Sequence, residues 1–204
     1  MKESIQPGKA IGKLRLGMGV AEALRLRGKP QNVEKVGLST HKKPKPSPTA
    51  YKELLWWEGG TADEPESWLV ALVKGEKILQ LSAMGAGYVL PTGISTLSDF
   101  TKVRKTYPKL TVHAGYFGSE DEPGYVGYFF DEPRHGVAFT IGTQDDIATY
   151  NSLPKSPPES IVVHPARQKV LRIEHGLVGL EEKPLGETSK RIAAWFAGGA
   201  LKPL

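Results

Sequence analysis

Residues Ile11–Pro30 read IGKLRLGMGVAEALRLRGKP, and the rest of the chain is read against this stretch. Leu14 and Leu16 alternate as in a short strand. Gly17-Met18-Gly19 then makes a tight turn, and Val20 to Arg27 carries a compact helix with Val20, Ala23 and Leu24 on one face. Gly19 is placed to cap this helix. Glu22 falls at its third position, where a carboxylate meets the free amides and the positive end of the helix dipole. Gly28 supplies a positive-φ stop, and Pro30 cannot continue a helix.

Beyond Pro30 comes the short stretch Val33–Gly37. LSTHKKPKPSPTA follows, over 38–50, and its X-Pro steps predict a solvated loop without helix or sheet. YKELLWWE comes next, then an acidic, glycine-containing turn. WLVALVKGEKILQLSAM reads as two strands around a Lys74-Gly75-Glu76-Lys77 turn. TLSDFTKVRKTYPKL then repeats the helix pattern: Thr96 as cap, Asp99 in the place of Glu22, and Leu97, Phe100, Val103 and Tyr107 as the apolar face. TVHAGYF and a hairpin turning over Asp131–Gly136 follow, then a polar, proline-rich crossing and the strand Ile161-Val162-Val163. QKVLRIEHGL offers one more strand. A short C-terminal helix carries Ile192, Trp195 and Phe196 on one side.

The pattern is self-similar. A shift of about 77 positions lays Val20-Ala21-Glu22 on Leu97-Ser98-Asp99, and about 58 lays Trp68–Leu72 on Val126–Phe130. The difference of roughly 19 residues calls for an insertion in the first copy, where the Lys/Pro loop sits. The expectation is an α+β protein of two tandem repeats, each a helix followed by an antiparallel hairpin or sheet. Residues 1–91 form the first repeat with the insertion at about 38–50, 92–166 form the second, and 167–204 add a C-terminal strand and helix.

These motifs resemble the β-lactamase-inhibitor-protein-like fold, related in shape to the small lipoprotein of the outer-membrane β-barrel assembly machinery. The resemblance is carried by Leu16-Gly17-Met18, Glu22, Leu26 and Gly28-Lys29-Pro30 in the first copy. In the second it is carried by Thr92-Gly93-Ile94, Leu97, Val103 and Tyr107-Pro108, with Ile161-Val162-Val163 as closing strand. It implies helices on one face of an antiparallel sheet, tandem copies forming a saddle, an extracytoplasmic location and protein binding.

Composition bounds the chemistry. The chain has 204 residues, no cysteine and a formal net charge of +5, so disulfides and thiolate metal sites are excluded. No apolar run reaches the roughly 20 residues of a membrane helix, and the first ten residues carry no signal-peptide core. Gly17-Met18-Gly19 before a helix is half a phosphate loop, but Glu22 occupies the third glycine's place and would repel a phosphate. A structural turn is the better reading. The five histidines (His41, His113, His135, His164 and His175) show no helical ligand spacing. No cofactor and no metal are expected.

Three functions are weighed. The favoured one is a non-catalytic binding protein that holds a protein or peptide partner through sheet aromatics (Trp56, Trp57, Tyr125, Tyr128 and Phe130) and the inserted loop. Adjacent residues on a strand face opposite ways, so either Trp56 or Trp57 is left outside the core, unless the C-terminal helix covers the second face. The second function is a polyanion or nucleic-acid binder using Lys42, Lys43, Lys45, Arg25, Arg27 and Arg104. The third is a small enzyme with an acidic–histidine site at His113, His135 and Asp131.

Overall fold

The computed structural model describes residues 3–38, 51–59, 66–117, 125–143, 152–171, 173–174 and 187–196. Three short strands open the chain: β1 (Glu3–Gln6), β2 (Ala10–Ile11) and β3 (Leu14–Arg15). Helix α1 (Val20–Arg27) follows, then the strands β4 (Asn32–Leu38), β5 (Tyr51–Glu58), β6 (Ser67–Lys74) and β7 (Lys77–Gly85). After β8 (Tyr88–Val89) comes helix α2 (Phe100–Thr106), then β9 (Thr111–Phe117), β10 (Tyr125–Glu132) and β11 (Val137–Thr143). A single 3-10 turn at Leu153–Lys155 precedes β12 (Ser160–Val163), β13 (Ile173–Glu174) and helix α3 (Glu187–Phe196).

Among the described residues the large sheet runs β13-β4-β5-β6-β7-β12-β11-β10-β9, and a small one runs β3-β2-β1-β8. Every pairing in the large sheet is antiparallel. Helix α1 precedes the meander β4–β7, α2 precedes β9–β12, and the last strand of each meander pairs with the other. This order corrects the sequence self-alignment. That alignment set β6 residues on β10, but β6 is the third strand after α1 and β10 the second after α2. β6 (SWLVALVK) and β10 (YVGYFFDE) are both rich in apolar residues, so a match in kind between them does not fix which strand corresponds to which,.

The GMG turn is explained by what its amides do. Gly17 N–H donates to the Ile78 carbonyl at 2.7 Å, Ile78 N–H donates back to Met18 O at 3.0 Å, and Val20 N–H donates to Glu76 O at 3.0 Å. The amides that would hold a phosphate are thus committed to the β6–β7 hairpin, and the structural reading of the turn stands. Gly19 caps α1 with extended backbone, and Gly28 ends it at φ +87°. The buried face is Ala23 with Val20 and Leu26 beside the core. Leu24 points outward at 37 % exposure, because the helix meets the sheet along 20, 23 and 26 rather than 20, 23 and 24.

Helix α2 starts later than the sequence suggested. Asp99 is its cap, with its carboxylate accepting from Lys102 N–H at 2.7 Å. Thr96 instead donates its hydroxyl to Gly85 O at 2.6 Å, and Leu97 is 70 % exposed. The carboxylate that looked like a third-position residue won the cap because the turn Ser95–Ser98 closes first, with Ser98 N–H on Ser95 O.

The three helices among the described residues deliver side chains to one apolar cluster on one face of the large sheet. Ala23 comes from α1, Phe100 and Val103 from α2, and Ile192, Trp195 and Phe196 from α3. They meet Leu54, Trp56, Leu69, Ala71, Leu81, Ile161, Val163, Phe139, Phe130 and Tyr128 from the strands. Phe130 is the hub of an aromatic group. Its ring lies 4.6 Å from Phe100, 4.8 Å from Phe196 and 6.3 Å from Tyr128. Each such ring contributes roughly 1.5–3 kcal/mol by burial, with about 0.5–1.5 kcal/mol per well-set aromatic pair. The C-terminal helix therefore covers the first face, the one the other helices already occupy.

Candidate binding surface

The second face is read from the strand register. Trp57 on β5 lies opposite Trp68 on β6, and Trp68 lies opposite Met84 on β7. The row continues through Ser160 on β12 and Thr140 on β11 to Phe129 on β10 and His113 on β9. Trp57, Trp68, Met84, Thr140, Phe129 and His113 are each partly exposed, and Ser160 is buried. Alternation forces this: Trp56, Leu69 and Ala83 turn into the core, so Trp57, Trp68 and Met84 must turn out of it. Two tryptophans and a methionine thus sit side by side at one end. A hydroxyl pair, Thr140 Oγ1 and Ser160 Oγ at 2.6 Å, marks the middle. The backbone under Trp57 is fixed by the Gln31 side chain, which accepts from Trp57 N–H and donates to Trp57 O.

Beside this row the chain crosses the same face. After β12 it turns at His164-Pro165 and passes the β10–β11 turn, where Arg167 N–H meets Pro133 O. Val170 and Leu171 then lie against β10, β11, β12 and β7, ahead of β13, which pairs with β4. Val170 seats on Ala138 and Val162, with Phe129 against them. Val170 N–H donates to Asp131 Oδ2 at 3.1 Å, and the second Asp131 oxygen lies 2.9 Å from His164 Nε2. Gln80 accepts from Leu171 N–H at 2.9 Å and donates to Leu171 O at 3.2 Å. Asp131 and His164 are wholly buried and Gln80 nearly so. Small residues on β11 and in the turn before it make this possible. Ala138 leaves room between Asp131 and His164, and Gly136, at φ +70°, is where a Cβ would collide with the His164 carbonyl.

Most of the residues singled out from sequence lie elsewhere. Trp56 is in the core with its indole N–H on Gly28 O at 3.1 Å, and Tyr128 and Phe130 are 1 % and 0 % exposed. These three are corrected from surface anchors to core, because they point to the first face, which the described helices fill, the C-terminal one included. Trp57 keeps its place on the second face. Tyr125 pairs with Phe117 through the backbone, and its side chain lies outside the described residues. Trp68, Met84 and Phe129 complete the row. Their signal was the two-faced geometry of β6, β7 and β10, legible only once the core-facing parity was known.

The basic set disperses. Lys42, Lys43 and Lys45 lie outside the described residues. Arg25 is exposed at the end of α1. Arg27 is corrected: its side chain is 8 % exposed, ion-paired with Glu3 and bonded to Tyr88 Oη at 3.2 Å. Arg104 lies 4.9 Å over the Trp195 ring, holding α3 to α2.

The acidic–histidine trio is not brought together. Asp131 faces His164 on the second sheet side, while His135 sits in the exposed turn 3.9 Å from Glu132, which faces the other way. His113 lies opposite Phe129, a row away from Asp131. Among the described residues no group of three or more His, Asp or Glu could hold a metal ion. On the Glu132 side, burial pushes the Tyr107 phenol above its ordinary value of 10.0. A hydrogen bond from Thr92 opposes the shift, and the nearby Glu132 charge adds to it.

No family model and no curated protein matches the sequence. Solved structures are similar at low identity. The uncharacterised protein YfeY from Escherichia coli aligns with a TM-score of 0.43 and 12 % identity, over 80 % of this chain and 99 % of that one. A cysteine-rich secretory protein from Staphylococcus aureus aligns with a TM-score of 0.42 and 12 % identity, over 80 % of this chain and 47 % of that one. An extracellular protein containing an SCP domain, from Bacillus anthracis, gives 0.42 and 13 %, over 80 % and 50 %. The aligned part thus spans about half the length of the last two. No helix among the described residues is long and apolar enough to cross a membrane.

Proposed function

We propose that this protein is a non-catalytic binding protein that holds a protein or peptide partner on the second face of its large sheet. The observation that carries the reading is the cross-strand row Trp57–Trp68–Met84, partly exposed on a rigid antiparallel platform. Large, stiff aromatic side chains beside an adaptable thioether are the composition of binding hot spots, where one residue commonly supplies 2 kcal/mol or more. The reading includes two tandem helix–meander copies, which the order of elements supports, and the inhibitor-like kinship, which the helices' shared face supports. It also includes an extracytoplasmic location, checked by cell fractionation.

The test selects peptides from a displayed random library on the intact protein, then measures their affinities for Trp57→Ala and Trp68→Ala proteins. Loss of at least about tenfold in either variant is expected. Equal affinity for all three proteins, or no enriched peptide at all, would overturn the reading. The polyanion alternative has less support, since Arg27 and Arg104 are engaged within the fold. It predicts instead that enriched ligands are acidic and lost steeply as salt rises.

A further inference from the structure

The segment 165–171 is bound to the sheet in the way a foreign peptide is bound. Its recognition is through the main chain: Asp131 takes Val170 N–H, and Gln80 takes both Leu171 N–H and Leu171 O. The Gln80 amide imitates a neighbouring strand, accepting and donating with one residue. His164 Nε2, 2.9 Å from Asp131 Oδ1, holds the carboxylate in position. Side-chain selection comes from one site, where Val170 fills a shallow apolar seat on Ala138, Val162 and Phe129. Main-chain hydrogen bonds for affinity and alternate pockets for selectivity are the two parts of extended-peptide recognition. Ala166, Arg167, Gln168 and Lys169 are all exposed. This part is tied down through the main chain, with Arg167 N–H donating to Pro133 O at 2.5 Å and Gln168 N–H to Pro165 O at 3.1 Å. Buried side chains this polar are costly unless they are used. Here Asp131 and Gln80 spend their hydrogen bonds on the backbone of two consecutive residues.

We propose that this part of the second face is a peptide cradle occupied in cis by the chain's own segment 165–171. In trans it accepts an extended peptide with a small β-branched residue followed by an apolar one, in the places of Val170 and Leu171. The commitment to that partner comes from the segment seated there. The inference rests on the reading that this face holds a peptide, but on contacts separate from Trp57 and Trp68. A competitor binds in proportion to the fraction of molecules whose own segment has lifted, so weakening the segment tightens apparent binding in trans.

The experiment uses the full chain and a capped, fluorescently labelled peptide with the sequence of residues 165–171, followed by anisotropy. Val170→Ala protein is expected to bind the probe roughly tenfold tighter than the parent, because its own segment is released more often. Adding Gln80→Ala is expected to reverse most of that gain. A probe with aspartate in place of the valine is expected not to bind. Val170→Ala protein that is folded by circular dichroism yet binds the probe no better than the parent, or no better than a scrambled peptide, overturns the proposal. A second measurement needs no variant. Hydrogen exchange at the Val170 and Leu171 amides is expected to be faster than at Leu81 and Val162 in the unaltered protein. Exchange in step with those core amides also overturns the proposal. Trp57→Ala leaves probe binding unchanged on this account, so failure of the cradle and failure of the tryptophan row are read separately.

Discussion

Single residues decide the local geometry here, and two of them make measurable claims. Gly75 and Glu76 form the two-residue turn between β6 and β7, with φ of +54° and +62°. With both central residues at positive φ it is of type I′, whose backbone twist matches that of the hairpin. Glu76 accepts that conformation because its carbonyl receives Val20 N–H, yet an L-residue pays about 1–2 kcal/mol for it. Glu76→Gly keeps the backbone bond and removes the side-chain clash. Its expected effect is a gain of about 1 kcal/mol in urea unfolding, and a loss would show that the carboxylate has a role of its own. Tyr107 makes the second claim. Its phenol is raised above 10.0, first by burial and then by Glu132, against the Thr92 hydrogen bond. The folded state therefore holds this proton more tightly than the unfolded state. The contribution is full below pH 10.0 and is lost as pH rises through the folded value,. Urea midpoints of the parent, compared with Tyr107→Phe between about pH 9 and pH 11, are expected to fall more steeply for the parent.

At the scale of elements, α3 shows how pattern becomes packing. Ile192, Trp195 and Phe196 share a side at helical spacing, and this was legible in the sequence. Their target was not. The sequence left open whether they cover the second face, and in the fold they join Phe100 and Phe130 on the first. The reason is that α2 offers its own aromatic residue and Arg104, which lies over the Trp195 ring. Trp195→Ala is expected to cost about 3–5 kcal/mol, as for other large buried aromatics. A double-mutant cycle with Arg104→Ala is expected to return a coupling of about 0.5–1 kcal/mol by chemical denaturation. A coupling of zero would mean that Arg104 lies over the ring without holding it.

For the whole molecule, the consequential fact is that the two meanders share one core. Residues from β5, β6, β7, β10, β11 and β12 and from α1, α2 and α3 belong to a single apolar cluster. The join between β7 and β12 has four residue pairs, from Ser160↔Met84 to Val163↔Leu81. A seam that short would not by itself bind two independent halves, whereas a core running across it does. Unfolding is therefore expected to be one cooperative transition. Tryptophan emission, from Trp56, Trp57 and Trp68 of the first meander and Trp195 of α3, should change together with far-ultraviolet circular dichroism. Separated transitions would show that the halves hold themselves up.

The sequence by itself determined the elements and their punctuation. Gly19 and Gly28 bound α1, the Lys74–Lys77 turn joins β6 to β7, and the alternation around Trp56 and Trp57 requires one of them to face outward. These are local facts, fixed by sterics within a few residues. Only the tertiary structure decided that Tyr128 and Phe130 lie inside, that Arg27 serves Glu3, and that Asp131 meets His164 rather than His113 or His135. Period-two alternation gives each strand two faces without saying which is the core, and that choice belongs to the helices arriving from elsewhere. Asp131 and His164 stand 33 residues apart in sequence, one on β10 and the other just past the end of β12, with β11 between. No local pattern marks such a pair, because what brings them together is the small Ala138 between them and the order of strands in the sheet.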